Sequence, residues 1–182
     1  GLAPYGTHPA MPERAWRLQH DAASRELEAV GQAFRDADVR LSTHPSQYVV
    51  INSPNPELVT RSLDELEADA VLLDRLGAGA RGRVITHVGG RYDDPEAARE
   101  RWVRAYERAP EPVRRRLALE NDERLFGLRD VAWISERSGV PICLDLHHHR
   151  LHPDGRDIPW AEALEIAAAS WPAVVRPKLH LS

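Results

Sequence analysis

The chain has 182 residues, 42% hydrophobic and 29% charged, with a formal net charge of -4. That suffices for one domain with a hydrophobic core and falls short of a complete eight-stranded α/β barrel, which takes about 250 residues. The acidic balance argues against indiscriminate phosphate binding, no apolar run approaches the roughly 20 residues that span a bilayer, and residues 1–10 lack the basic start and apolar run of a signal peptide, so no membrane association and a cytoplasmic location are expected.

In chain order, residues 12–37 read as a helix with Trp16, Leu27, Val30 and Phe34 among its apolar positions. A short strand over 39–44 follows, ended by Pro45, and 52–56 form a loop by composition. Residues 57–76 read as a second helix closed by Gly77 and Gly79. A strand over 83–88 stops at Gly89 and Gly90. A third helix opens at Asp94-Pro95, with proline well placed in the first turn, and runs to about Arg108. Residues 116–120 are a strand, 125–138 a helix ended by Gly139, 140–145 a strand and 159–169 a helix; 173–181 contain the last strand. Cys143, the only cysteine, lies in an apolar run, which excludes an internal disulfide and predicts a buried, inert thiol.

Short apolar strands separated by helices predict a parallel sheet covered on both faces. A doubly wound sheet and a barrel both fit that alternation. His44, His87, Glu120, Asp145 and His180 each fall at or near the C-terminal end of a predicted strand, the face on which a (β/α)₈ TIM barrel gathers its active site from several strands. A doubly wound sheet concentrates its site at one switch point and usually opens on a glycine-rich loop, and no G-x-G-x-x-G or Walker A loop is present. The expectation is a single α/β domain over 1–182 of the TIM-barrel type, with βα repeated about four times between a leading helix and a trailing strand.

Glu120, flush with a buried strand, requires pairing, hydrogen bonding or a metal. Asp145-Leu-His-His-His149 is the most pointed segment, because aspartate and imidazole together suit Mn, Fe, Co or Zn. Lys178 and His180 are two apart and share a strand face; a lysine there needs a carboxylate, a phosphate or chemical modification. Taken together, these strand ends predict a hydrolase using two or three metal ions, which could activate water and hold a phosphate. A serine or cysteine nucleophile has no support, since no G-x-S-x-G elbow is present. A metal-dependent sugar isomerase or epimerase on the same barrel, an apurinic-site endonuclease and a non-enzymatic metal-binding module are the other readings.

Leu41-Ser-Thr-His-Pro-Ser-Gln-Tyr48, Thr86-His-Val-Gly-Gly90, Leu119-Glu-Asn-Asp122, Asp145-Leu-His-His148 and Lys178-Leu-His180 resemble, in order, stretches of the UV damage endonuclease family; Tyr5-Gly-Thr-His-Pro9 matches a further stretch less tightly. The resemblance implies a TIM barrel of the xylose isomerase-like superfamily, monomeric at full length, that nicks double-stranded DNA 5′ to cyclobutane pyrimidine dimers and 6-4 products. It implies His8, His44, His87, Glu120, Asp145, His148 and His180 as ligands of two or three divalent ions, most often Mn2+, with Zn2+, Co2+ or Mg2+ as alternatives. It assigns Glu120, His87 and Lys178 to catalysis, with Lys178 matching a lysine that can be carboxylated. Gln47 and Tyr48 match the pair that probes the lesion. Family members carry two barrel strands before the matched region and an eighth strand, with further ligands, after it, so the resemblance implies a fragment, an α/β TIM barrel truncated at both ends to about five or six βα units.

Overall fold

The computed structural model describes Thr7, Met11 and residues 14–181. Two helices, α1 (Ala15–Ala22) and α2 (Ser24–Asp36), lead into β1 (Ser42–Thr43), α3 (Pro56–Arg75) and β2 (Arg83–His87). Then come α4 (Pro95–Glu107), α5 (Glu111–Arg116), β3 (Leu117–Glu120), α6 (Leu128–Ser138) and β4 (Ile142–Asp145). The chain continues through α7 (Leu146–Leu151), α8 (Asp154–Asp157), α9 (Trp160–Ala169) and β5 (Leu179–His180). All neighbouring strands pair in parallel, in the order β1-β2-β3-β4-β5. Spatial order equals chain order with no reversal, which is the progression of a barrel wall and not of a doubly wound sheet. The architecture is an α/β parallel half-barrel whose outer edges, at β1 and β5, carry no further strand among the described residues.

Alternation along the strands explains why both faces are apolar. Val84, Leu117, Leu119, Ile142 and Leu144 turn toward the helices and join Leu66, Trp102, Val131 and Ile134 in the main core. Ile85, Ala118 and Cys143 face the other way and pack on Trp171 and Val175. Burial pushes the Cys143 thiol up to about 12, so it is inert as expected.

Helix starts follow local chemistry. Asn55 accepts from the Glu57 amide ahead of Pro56, and Asp94 Oδ1 accepts from the Glu96 and Ala97 amides ahead of Pro95. Gly139 ends α6 at φ 72, a left-handed conformation that favours glycine. The helix expected over 12–37 is broken at Ala23, and its first two residues lie outside those described. The break lets each half dock separately on α3. Trp16 Nε1 donates to Asp64 at 3.1 Å, while Gly31 lies against the Leu76 backbone beyond the end of α3. A Cβ at position 31 would overlap that backbone, so Gly31→Ala is expected to destabilise by about 1–3 kcal/mol in urea unfolding.

The strand expected over 39–44 shrinks to two residues. Asp38 turns the chain at φ 50, Val39 N–H is taken by the Phe34 carbonyl, and the Arg40 guanidinium bonds the carbonyls of Arg81 and Arg176. The helix expected from 125 begins at Leu128, because the Asp122 carboxylate holds the amides of Arg124, Leu125 and Phe126 in a turn. Three short helices, α5, α7 and α8, were not anticipated.

Asp69 on α3 is partly buried behind the sheet. Burial raises its carboxyl to about 6, with Thr43 opposing and Glu65 adding to the shift. An acid with a raised folded pKa binds more protons when folded, so stability falls as pH rises from about 3.8 to about 6. Asp69→Asn is therefore expected to raise the melting temperature at pH 7 relative to the parent and to lose that advantage at pH 4. An equal effect at both pH values contradicts the assignment.

Candidate metal centre

His87, Glu120, Asp145 and His180 are the last residues of β2, β3, β4 and β5, and His44 directly follows β1. The parallel register sets His87 opposite Glu120 and Asp145 opposite His180. Side chains from five adjacent strands therefore converge at one end of the sheet.

Glu120 is the hub and is almost fully buried. Its Oε1 lies 2.7 Å from His180 Nδ1, and its Oε2 lies 3.0 Å from His44 Nε2 and 3.7 Å from His87 Nε2. Burial alone would raise the Glu120 pKa, but the hydrogen bonds from His180 and His44 and the charges of His87 and His180 outweigh it and hold the carboxyl at about 2. The same hydrogen bond to Glu120 raises His44, while desolvation lowers His87. The Nδ1 atom of His87 is buried without a hydrogen-bond partner among the described residues.

The second part of the site is built by α7. The carboxylate of Asp145 caps this helix by accepting from the His148 amide at 2.8 Å, which brings His148 back over the strand end one turn later. Asn121 braces both sides. Its side chain bonds the Asp145 backbone at 2.9 and 3.1 Å, and its carbonyl lies 3.1 Å from His148 Nδ1. Asn121 was visible in the sequence only as part of a motif, and its bracing role depends on pairing between β3 and β4.

Two groups of donors result, His44, His87 and Glu120, and Glu120, Asp145 and His148, with the ligand atoms within each group all inside 4.8 Å of one another. The donor set fits divalent cations. At His44 the Nδ1 faces the Pro45 carbonyl, so in the neutral ring the lone pair on Nε2 points at a carboxylate, an arrangement that a proton or a cation must stabilise. His180 contacts Glu120 but belongs to neither group.

A cleft of about 550 Å³ opens over these donors, lined in part by His44, Gln47, His87, Glu123 and His148. Tyr48 stands beside it and is 74% exposed. Lys178 is half-buried, acts electrostatically on the inward-facing Cys143, and makes no hydrogen bond or ion pair among the described residues. His147 is exposed; His149 is fully buried and bonds the Ile158 carbonyl at 3.0 Å, a structural role. His8 lies outside the described residues. Among the described residues no helix is long and apolar enough to cross a membrane.

Fold and site together define a parallel half-barrel carrying two candidate metal-binding clusters at the C-terminal ends of its strands. The family model for UV-endonuclease UvdE matches residues 1–182, and the chain belongs to that family. The UV DNA damage endonuclease of Deinococcus radiodurans is 37% identical over 165 residues, which cover 88% of this chain and 52% of the relative. The crystal structure of SacUVDE superposes with a TM-score of 0.82 at 33% identity, covering 92% of this chain and 55% of the other. Endonuclease IV from Thermus thermophilus shares the fold alone, with a TM-score of 0.57 at 23% identity over 82% of this chain and 54% of its own. The chain spans about half the length of the curated relatives it matches.

Proposed function

We propose that this chain is part of a divalent-metal-dependent phosphodiesterase that nicks double-stranded DNA 5′ to cyclobutane pyrimidine dimers and 6-4 products. The observation that carries the reading is Glu120, a buried carboxylate facing imidazoles from three other strands at the floor of an open cleft, in a chain of the UvdE family. In the whole protein the half-barrel would be one part of an eight-stranded barrel, with residues 1–182 forming part of a single domain.

His44, His87 and Glu120 would hold one ion and Glu120, Asp145 and His148 a second, with His180 and His8 as further ligands and Mn2+ as the preferred metal. When bound, such ions would supply Lewis acidity and neutralise the phosphodiester charge. The chain's own residues set the rest. Asn121 and the helix cap at Asp145 fix the orientation of His148. His44 and His180 fix Glu120, so the carboxylate needs little reorganisation when its charge is used. Among the described residues Lys178 forms no ion pair, and carboxylation would convert it from a repelled cation into an anionic ligand. Gln47, at the cleft wall, and the exposed Tyr48 next to it would wedge into the duplex, which costs least where stacking is already broken by a photoproduct.

The test is a nicking assay in Mn2+ on a duplex with one defined cyclobutane dimer and on a matched abasic duplex. Both this chain and a version extended to the length of its relatives are assayed. Cleavage 5′ to the dimer is the expected result for the extended protein. Abasic cleavage alone transfers the reading to apurinic-site endonucleases, and no cleavage of either duplex by folded, metal-loaded protein rejects it.

A further inference from the structure

The turn between β3 and α6 places one more carboxylate in the cleft. Asp122 is the organiser of that turn. Its backbone N–H bonds the Phe126 carbonyl at 2.9 Å, and its side chain accepts from three successive amides. The backbone of Glu123 is thereby fixed at the lip of the cleft, and its side chain lines the wall. Glu123 Oε2 lies 3.7 Å from Nε2 of His148. Its other oxygen lies 3.5 Å from Nε of Arg124, whose side chain is 83% exposed, so that ion pair is weak.

The hydrogen-bonding state of His148 gives this pair its meaning. Nδ1 faces the Asn121 carbonyl, which can only accept, so Nδ1 carries the hydrogen. In the neutral ring Nε2 then presents a lone pair to a carboxylate oxygen. A separation of 3.7 Å is too long for a hydrogen bond. It is close to the spacing of two ligands on one ion, since donors about 2.1 Å from a metal and 90–120° apart are about 3.0–3.6 Å from each other. His87 and Glu120 show the same 3.7 Å separation within the first donor group.

The other acids at this end of the sheet already have roles in the turn and the two donor groups. Asp122 holds its turn, Glu120 faces three imidazoles, and Asp145 accepts from the His148 amide. We infer that Glu123 is a further metal ligand, holding with His148 Nε2 the ion nearest the mouth of the cleft. The inference rests on the metal reading of the site. It adds a third carboxylate to Glu120 and Asp145.

The experiment is manganese(II) titration of the apo chain, followed by electron paramagnetic resonance of free ion and by calorimetry. The samples are the parent, E123Q, E120Q, H148A, the double variant H148A with E123Q, and E136Q as a control on the exposed face of α6. Circular dichroism and apo melting establish folding. The expected result is that E123Q melts as the parent does and loses one ion or binds it roughly 10- to 100-fold more weakly, the scale on which even groups behind the ligands act. H148A and E123Q are expected to be non-additive in the double variant, because both hold the same ion. Parent-like binding by E123Q, with E120Q impaired, overturns the Glu123 assignment and leaves the metal reading intact. Absence of manganese binding by the parent overturns both. If E123Q fails to fold, E123D decides: an acid one methylene shorter withdraws from His148, so full parent affinity in E123D rejects the assignment.

Discussion

Glu120→Gln is expected to weaken divalent-metal binding by about 100-fold or more while leaving a folded chain, because groups standing behind metal ligands are already worth 10–100-fold. Glu120 belongs to both donor groups, so the loss should fall on both ions at once. The substitution preserves shape and removes charge. The glutamine amide would also turn a donor toward at least one of the imidazole nitrogens that now lie 2.7 and 3.0 Å from carboxylate oxygens. Calorimetric titration with manganese measures the effect, and nicking by the extended protein should fall with it. Loss of only one ion would show that Glu120 does not bridge, and unchanged binding would falsify the metal centre as drawn. Circular dichroism separates either result from unfolding.

The largest effect on stability is expected far from the site, at Asp74 near the end of α3. The α5 segment carries three consecutive arginines, and two of them converge on this one carboxylate. Arg115 reaches both of its oxygens, at 3.0 and 2.8 Å, and Arg116 Nε donates at 2.8 Å. Burial opposes ionisation of Asp74, yet the two guanidinium groups hold its pKa below the ordinary carboxylate value. The Arg116 side chain is 3% exposed, so removing Asp74 would leave a buried cation whose remaining partners among the described residues are the carbonyls of Gly79 and Gly82. Breaking a fully buried pair costs about 3–5 kcal/mol. Partial exposure of Asp74 lowers the expectation to about 2–3 kcal/mol for Asp74→Ala, read from urea unfolding. Arg115→Ala, at a half-exposed position, should cost less than about 1 kcal/mol. Equal losses in the two variants would mean that Arg116 is not the group being stabilised. Because the Asp74 pKa is depressed, its contribution is present above the unfolded value and disappears as pH falls through the folded one, so the two variants should converge with the parent in acid.

Much of this architecture was legible before the structure. The starts of α3 and α4 follow from Asn55-Pro56 and Asp94-Pro95, and the end of α6 from Gly139, because capping is settled within a few residues of chain. The convergence of His44, His87, Glu120, Asp145 and His180 was legible for a related reason. Once short apolar strands are parallel and consecutive, whatever terminates each of them must lie at one end of the sheet. Asp145 and His148 announced themselves as a segment, although the helix cap that joins them did not.

Other features required the assembled molecule. The break at Ala23 arises because two stretches of one amphipathic pattern dock at different points on α3. Ahead of the two-residue β1, the turn at Asp38 takes up the Val39 N–H and Arg40 bonds carbonyls 41 and 136 residues away. Nothing local in the run of arginines in α5 points to Asp74, which lies 41 and 42 residues from the two that reach it. Glu123 stood in no metal-binding motif, and its approach to His148 depends on the turn held by Asp122. By itself the sequence determined the parallel βα order and the donors at the strand ends, because periodicity and caps are short-range properties. Only the tertiary structure decided which donors share Glu120 and which charges are buried in pairs, because those distances depend on how segments far apart in the chain pack together.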